Sequence, residues 1–177
     1  ALQQEANGNE NYIKSLDLLD QSKVTAVLSQ LNIAQNGVSA DDLYYGSKLP
    51  FAYNYVDKNT DVTHDNDTQS EHGSHVAGIA AANKYVPQTD GDETTYVSAL
   101  DTVKTQGVAP EAQLLVMKVF GSNGGAFDSD YMAAIEDAIV LGADSINLSL
   151  GSSYPGPSKY TAYMDADTDP VPVYQAI

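Results

Sequence analysis

The segment that most constrains the fold runs from residue 112 to residue 150, because it combines two apolar runs with one helical pattern. Ala112–Val119 is nearly continuous apolar sequence, as in a strand that is buried on both faces. Asp128–Leu141 repeats apolar residues at helical spacing and precedes Gly142, a typical helix stop. Ser145–Leu150 again has the length and pattern of a strand. A strand, a helix and a strand with short joins predict a right-handed parallel unit, and hence an α/β fold.

The first two thirds of the chain carry weaker signals of regular structure. A short amphipathic helix is predicted with Asp20 or Ser22 as its N-cap. Lys48–Asp57 alternates aromatic with smaller or polar residues, which favours a strand. Residues 57–71 and 84–106 are polar, and we expect both stretches at the surface as loops.

Charge excludes several classes of function. The chain of 177 residues has 8 Lys and Arg against 24 Asp and Glu, a formal net charge of -16. A field of this sign repels phosphate backbones and anionic lipid surfaces, so we expect no nucleic-acid partner. The absence of cysteine excludes disulfides, thiol nucleophiles and thiolate metal sites. No apolar run approaches the roughly 18 residues of a membrane span, so we expect no membrane insertion.

All three histidines, His64, His72 and His75, lie close together in the sequence. Imidazole gains and loses its proton near neutral pH, so acid–base chemistry is expected in this stretch. His64 stands among aspartates and is expected to be an exposed residue without a role. The three-residue spacing of the other two differs from the four-residue spacing of common zinc helices, which argues against a zinc hydrolase. Spacing alone leaves a structural and a catalytic role open for both.

The whole string from His72 to Asn83, HGSHVAGIAAAN, resembles the active-site histidine motif of the subtilisin-like serine peptidases, in which His-Gly-Thr-His-Val-Ala-Gly begins a helix. Two more segments resemble motifs of that family and follow in its order: GVAPEAQLLVMKVFG from Gly107 and SINLSLGS from Ser145. The insertions, and KLPFAYNY from Lys48, are most similar to the cell-envelope peptidases of the lactocepin and C5a peptidase kind. The resemblance implies a three-layer, parallel-sheet, subtilisin-like α/β fold that is incomplete in this chain.

The family hydrolyses peptide bonds with an Asp, His, Ser triad. Residue by residue, the resemblance implies that His72 is the general base, that His75 packs and hydrogen-bonds beneath the site, and that Gly73 permits close approach of neighbouring backbone. It also implies that an extended polypeptide substrate lies between two backbone segments and beside an aromatic wall. One segment is Ser149, Leu150 and Gly151, the other is Gly124, Gly125 and Ala126, and the wall is Phe120. Ser149 lacks the Gly-Thr-Ser helix start of the family's nucleophile, so it is not expected to be one.

Two members of the triad have no counterpart in this sequence. The family's aspartate lies upstream of the histidine in an Asp-Thr-Gly or Asp-Ser-Gly motif, and residues 1–71 contain neither. Asp17 follows no buried strand and precedes no glycine, so we reject it as the triad aspartate. The serine and the oxyanion asparagine lie downstream in the family. We therefore expect an internal piece of a serine endopeptidase that is inactive alone.

The expected organisation follows from these motifs. Residues 1–47 form a polar and helical insertion region, residues 48–151 carry the histidine helix and the core strands, and residues 152–177 are loop-rich, all within one partial peptidase domain. The expected partners are a polypeptide substrate and the remainder of the same domain. The family resemblance and the acidic charge indicate an extracellular or cell-wall location in a bacterium.

Two hypotheses of other classes remain open. Because the aspartate and serine motifs are missing, the chain could be a catalytically dead, subtilase-like module that binds peptides or partners. It could also be an acidic calcium-binding domain, since carboxylates cluster in two runs, although neither run has EF-hand spacing. Subtilases often bind structural Ca²⁺, so the ion is expected from the resemblance, without assigned ligands and without any organic cofactor. The two runs are Asp61, Asp65 and Asp67, and Asp90, Asp92 and Glu93.

Overall fold

The computed structural model describes residues 16–65 and 71–150. Two compact units divide the chain, Ala1–Ile146 and Asn147–Ile177. Within the described ranges, no helix is long and apolar enough to cross a membrane. The regular elements are, in chain order, α1 (Gln21–Val27), two 3-10 helices (Leu28–Gln30 and Asn32–Asn36), α2 (Ala40–Leu43), β1 (Phe51–Asn54), α3 (His72–Ala81), β2 (Tyr85–Asp90), β3 (Glu93–Ser98), α4 (Ala99–Thr102), β4 (Leu115–Lys118) and α5 (Asp128–Val140).

The central feature is the parallel pairing of β1 with β4, in which Phe51 lies opposite Leu115 and Asn54 opposite Lys118. This pairing confirms the predicted α/β class, and both strands lie within the segments predicted to contain them. The prediction that the later strand is buried on both faces is wrong. All four residues of β1 are buried, whereas those of β4 are half-buried. In the part of the chain that the structure describes, β4 pairs with β1 alone, so its other edge has no strand beside it.

The core packs on β1. Tyr53 and Phe51 are fully buried among Leu43, Val24 and Ile33, which come from α2, α1 and the second 3-10 helix. The ring of Tyr53 meets that of Tyr55 edge to face, with centroids 5.2 Å apart, a geometry that the aromatic quadrupole favours. Burial of these large rings supplies much of the hydrophobic stabilisation of the first unit.

A buried carboxylate ties α5 to this core. Asp137 is fully buried and accepts three hydrogen bonds, from the Tyr55 hydroxyl at 2.9 Å and from the backbone and side-chain nitrogens of Asn32 at 2.7 and 2.9 Å. Three donors offset the cost of removing a charge from water. Burial, and then the neighbouring Asp137, hold the pKa of the Tyr55 phenol well above its usual range.

The ends of α5 follow local chemistry. The helix begins after Phe127 as its N-cap, at the start of the segment predicted to be helical. At its other end Gly142 has φ of +80°. Its amide and that of the next residue donate to carbonyls of the last turn at 3.0 Å each, in a Schellman motif. The predicted glycine stop is therefore confirmed.

Two further predictions about regular structure are wrong. Ser145–Leu150, expected as a strand, is exposed and belongs to none of the described sheets. A strand forms only where a second strand satisfies its backbone groups, and within residues 16–65 and 71–150 none does so here. The polar stretch 84–106 lies at the surface, as expected, but instead of a loop it folds into the antiparallel hairpin of β2 and β3, followed by α4. Gly91, at φ of +60°, starts the two-residue turn between the strands.

The histidine helix α3 is held at its C-terminal end by the loop that precedes β4. Orphan carbonyls of the last turn accept backbone N–H groups from this loop. The loop residue Gly107 makes the closest approach, because a Cβ atom there would lie 2.5 Å from the Cα of Ala81. The three bonds run from Gly107 to Ala82, from Val108 to Ile79 and from Ala109 to Ala80, at 2.9, 2.9 and 2.8 Å.

The rest of α3 is more open than its small residues suggested. The resemblance implied that Gly73 meets neighbouring backbone, and this is wrong for the described chain. Ala81 is the buried residue of the helix, and a Cβ atom on Gly73 or Gly78 would meet no heavy atom within 4 Å. The physical reason is that the loop at Gly107 packs on the end of the helix and leaves its first turns uncovered.

These contacts predict opposite effects for two glycine substitutions. Gly107→Ala should lower the free energy of unfolding by at least about 2 kcal/mol, because the new Cβ overlaps backbone that cannot move independently. Gly78→Ala, in open space within the helix, should raise it by about 0.5–1 kcal/mol. Urea unfolding of both variants is the measurement, and a Gly107→Ala protein as stable as the unsubstituted one would contradict the packing.

The buried phenol of Tyr55 predicts a loss of stability in alkali. Its raised pKa means that the folded state holds the proton more tightly than the unfolded state does, where the pKa is near the ordinary value of 10.0. The stabilisation is therefore complete below pH 10 and is lost as the pH rises above it. In Tyr55→Phe, the free energy of unfolding should fall less steeply with rising pH above pH 10 than it does in the wild-type protein. Tyr96→Phe, at an exposed position, is the matched control, and equal slopes for Tyr55→Phe and wild type would contradict the prediction.

Candidate functional site

His72 is the first residue of α3, and its side chain is exposed. The preceding residue, Glu71, is the N-cap but makes no side-chain capping bond. Within residues 16–65 and 71–150, no hydrogen bond or ion pair engages the His72 imidazole. Both ring nitrogens are therefore available for proton transfer and for an orienting partner.

Glu71 instead lies between the other two histidines. Its carboxylate oxygens are 3.9 Å from Nε2 of His64 and 3.8 Å from Nε2 of His75. All three side chains are substantially exposed, so these contacts contribute little to stability. His75 was expected to pack beneath the site, and this is wrong for the described chain, where its side chain is 74% exposed. Its position one turn into an uncovered helix explains the difference.

The predicted substrate-binding residues of the first unit follow β4 directly. Phe120 is half-buried at the end of the strand. The chain then turns back, with the Gly121 amide donating to the Gly125 carbonyl and the Gly124 amide to the Gly121 carbonyl, both at 2.8 Å. Gly124 has φ of +76°, which favours glycine. Gly125 and Ala126 are exposed and belong to no described strand, and the Gly125 carbonyl is already engaged by the Gly121 amide.

The remaining predicted substrate-binding residues are Ser149, Leu150 and Gly151. Ser149 and Leu150 are exposed and belong to the second unit, while Gly151 lies outside the described residues. The Ser149 hydroxyl accepts a hydrogen bond of 2.9 Å from the Asn147 side chain. This bond is consistent with a structural serine.

Sequence reasoning missed a polar pocket at the carboxyl ends of β1 and β4. Ligand sites of parallel α/β sheets favour this edge. The signal was present, since the segment from Asp57 to Thr63 after β1 is rich in polar residues. The buried Asn54 organises the pocket, because its side chain donates to Asp57 Oδ2 and to the Asp61 carbonyl at 2.9 and 3.0 Å. The pocket encloses about 290 Å³ and is lined by Asn54, Asp57, Asn59, Asp61, Thr63, Lys118 and Ser122.

Metal-ligating residues do not converge in the described part of the chain. Over residues 16–65 and 71–150, no three His, Asp or Glu side chains are placed to hold one ion. Asp90, Asp92 and Glu93 lie exposed at the tip of the hairpin. Of the other acidic run, Asp61 uses its carboxylate within its own loop, bonding Thr63, and Asp67 lies outside the described residues.

The fold and site define a class: an α/β domain in which an exposed histidine at a helix start is the candidate acid–base group. The model of the subtilase family matches residues 29–173, which is most of the chain. The protein therefore belongs to the subtilase family, and its fold is the α/β fold of that family.

Three relatives give the family a finer setting. The PI-type proteinase of Lactococcus lactis subsp. cremoris is 42% identical over 112 residues, which cover 62% of this chain and 5% of that protein. The minor extracellular protease Vpr of Bacillus subtilis is 36% identical over 115 residues, which cover 62% of this chain and 12% of that protein. The C5a peptidase of Streptococcus pyogenes is 40% identical over 84 residues, covering 47% and 6%. The chain thus spans a small fraction of these relatives, and no solved structure matches it significantly.

Proposed function

We propose that this chain is the histidine-bearing part of a subtilisin-like serine endopeptidase, with His72 as the general base of an Asp, His, Ser triad. The observation that carries the proposal is the exposed His72 imidazole at the start of α3, which lacks a described partner. In this role it takes the proton of the serine hydroxyl and returns it to the leaving amine. Membership of the subtilase family supports this chemistry.

The other two triad residues lie, in this proposal, in polypeptide outside this chain. The small share of the relatives that the chain covers supports this assignment. So does the environment of Asp17, whose carboxylate is 98% exposed and bonds Lys23 at 2.6 Å. The lysine lowers the pKa of Asp17, and no histidine contacts it in the described chain. An isolated chain without the serine is then inactive, since losing it lowers turnover by about 10⁶-fold in subtilisin.

The proposed substrate is an extended polypeptide. The backbone of Gly124–Ala126 would pair with it by strand addition, and Phe120 would wall the subsites. Ser149, Leu150 and Gly151 are further proposed substrate-binding residues. The exposure of Gly125 and Ala126 outside the described strands supports this role, because strand addition needs accessible backbone; the Gly125 carbonyl already accepts from the Gly121 amide.

The proposed second partner is the remainder of the same peptidase domain. Apolar residues stand exposed on and beside α3, with Ile79 70% and Val108 88% exposed. Apolar surface of this kind is stabilised by burial against further protein. We place the protein outside a bacterial cell or on its envelope, because a relative is named as an extracellular protease and others are proteinases of lactic acid bacteria.

A catalytically dead, peptide-binding subtilase module is the second candidate function. The lack of an Asp-Thr-Gly or Asp-Ser-Gly motif in residues 1–71 favours it. The coding sequence on either side separates the two candidates. An upstream strand ending in Asp-Thr-Gly with a downstream Gly-Thr-Ser supports the peptidase, and their absence supports the binding module.

Substitution of His72 in the complete protein tests the proposal. His72→Ala should lower kcat on a peptide substrate by about 10⁴–10⁶-fold, because no other group takes the serine proton, while the melting temperature stays close to wild type. His75→Ala is the matched control, one turn further along the same exposed helix, and should retain turnover. Undiminished hydrolysis by His72→Ala would refute the assignment of the base.

Structural Ca²⁺ is a separate proposal, supported by membership of the subtilase family, and no ligands are assigned to it. An ion bound only by the folded state raises the melting temperature by mass action. We expect a higher melting temperature in millimolar Ca²⁺ than in a chelator. Equal melting temperatures in the two conditions would exclude the ion.

A further inference from the structure

Asp57 joins the loop that follows β1 to the turn that follows β4. Its Oδ2 atom accepts two hydrogen bonds of 2.9 Å, one from the backbone amide of Ser122 and one from the side chain of the buried Asn54. The Ser122 hydroxyl lies 3.4 Å from Oδ1. One carboxylate thus contacts the last residue of β1 and a residue four positions beyond the end of β4.

The turn reached by this carboxylate is itself tightly built. We call Gly121–Gly125 the glycine turn, and two backbone bonds of 2.8 Å close it. Gly121 packs directly on the loop after β1, since a Cβ atom there would lie 2.7 Å from Val56 Cγ1 and 3.1 Å from Asp57 Oδ1. The start of the glycine turn is therefore fixed by packing and by the Asp57 hydrogen bonds together.

A second connection holds the same loop further along. Lys118, the last residue of β4, donates from Nζ to the Thr63 carbonyl at 2.5 Å. This bond fixes the loop to the strand, whereas Asp57 contacts the glycine turn itself. In the described chain, Asp57 is the acidic side chain that bonds this turn.

We infer that Asp57 is a positioning residue, which holds the glycine turn at the carboxyl ends of β1 and β4 and thereby fixes the backbone of Gly124–Ala126 that receives substrate. The inference rests on the proposed function for the role of Gly124–Ala126. The hydrogen bonds between Asp57 and the glycine turn do not depend on that function, so they can be tested separately.

The role needs an acceptor oxygen at the place of Oδ2 and does not need a negative charge. An asparagine amide can place its oxygen there, to accept from Ser122 and Asn54. Its NH₂ group then replaces Oδ1 and faces the Ser122 hydroxyl, which can accept as well as donate. Asp57→Asn therefore keeps the bonds and Asp57→Ala removes them. A cation-binding role would require the charge and would fail in both variants.

The first experiment measures hydrogen exchange at the Ser122 amide in the complete protein. Loss of its acceptor in Asp57→Ala should speed exchange about tenfold, and Asp57→Asn should stay within about twofold of wild type. Asp65→Ala, which removes the same charge from an exposed position in the same loop, is the matched control and should leave the rate unchanged. Unchanged exchange in Asp57→Ala, or equally fast exchange in Asp57→Asn, overturns the inference.

The second experiment separates substrate positioning from catalysis. With a peptide that extends at least four residues before the scissile bond, Asp57→Ala should raise KM about five- to tenfold and leave kcat within about twofold. KM for a single-residue ester, too short to pair with Gly124–Ala126, should not change, and Asp57→Asn should behave as wild type with both substrates. An equal rise in KM for the ester contradicts a role at this backbone. If the wild-type protein hydrolyses neither substrate, the proposed function fails, and the exchange experiment still decides the structural role of Asp57.

Discussion

The parallel pairing of β1 with β4 is the constraint on which the rest of the structure depends. At the amino ends of the two strands, Lys48 donates from Nζ to the carbonyls of Pro110 and Ala112 at 2.8 and 2.6 Å. These bonds hold the loop before β4, whose backbone amides donate to carbonyls at the C-terminal end of α3. Burial lowers the pKa of this lysine, and the nearby Glu111 acts in the opposite direction. At the carboxyl ends lie the polar pocket and the glycine turn. One strand pair therefore positions both the histidine helix and the backbone that is proposed to bind substrate.

The sequence predicted those parts of the fold whose causes are local. Asp20 was predicted as an N-cap and accepts a bond of 2.9 Å from the Lys23 amide, and Gly142 was predicted as a stop and adopts a left-handed φ. The strand β4 was also predicted, because a run of about four to eight apolar residues bounded by turn residues is typical of a buried strand. The histidine motif indicated the family through its residue identities, which do not depend on the three-dimensional structure.

What the sequence did not predict depends on partners that are distant along the chain. Asp137 lies on the helix face that packs on the core, and its burial is tolerated only because Tyr55 and Asn32, more than 80 residues away, supply donors. Ser145–Leu150 has the composition of a strand, yet in the described chain no neighbouring strand pairs with it. The hairpin of β2 and β3 was hidden by its polarity, although Gly91-Asp92, the two residues between the strands, is a turn signal that was overlooked.

The way α3 is held has a consequence for the chemistry of His72. Three backbone hydrogen bonds fix the C-terminal end of the helix, and His72 is the first residue at the other end. The two ends are about 14 Å apart, because ten residues are separated by nine rises of about 1.5 Å. A small rotation about the fixed end displaces the imidazole by more than an ångström, enough to lose an aligned proton transfer. The described chain places no backbone or side chain against Gly73 or Gly78 to prevent that rotation. In the proposed peptidase, polypeptide that covers the open face of α3 would therefore do two things at once: it would bury Ile79 and Val108, and it would set the angle at which His72 meets the proposed serine.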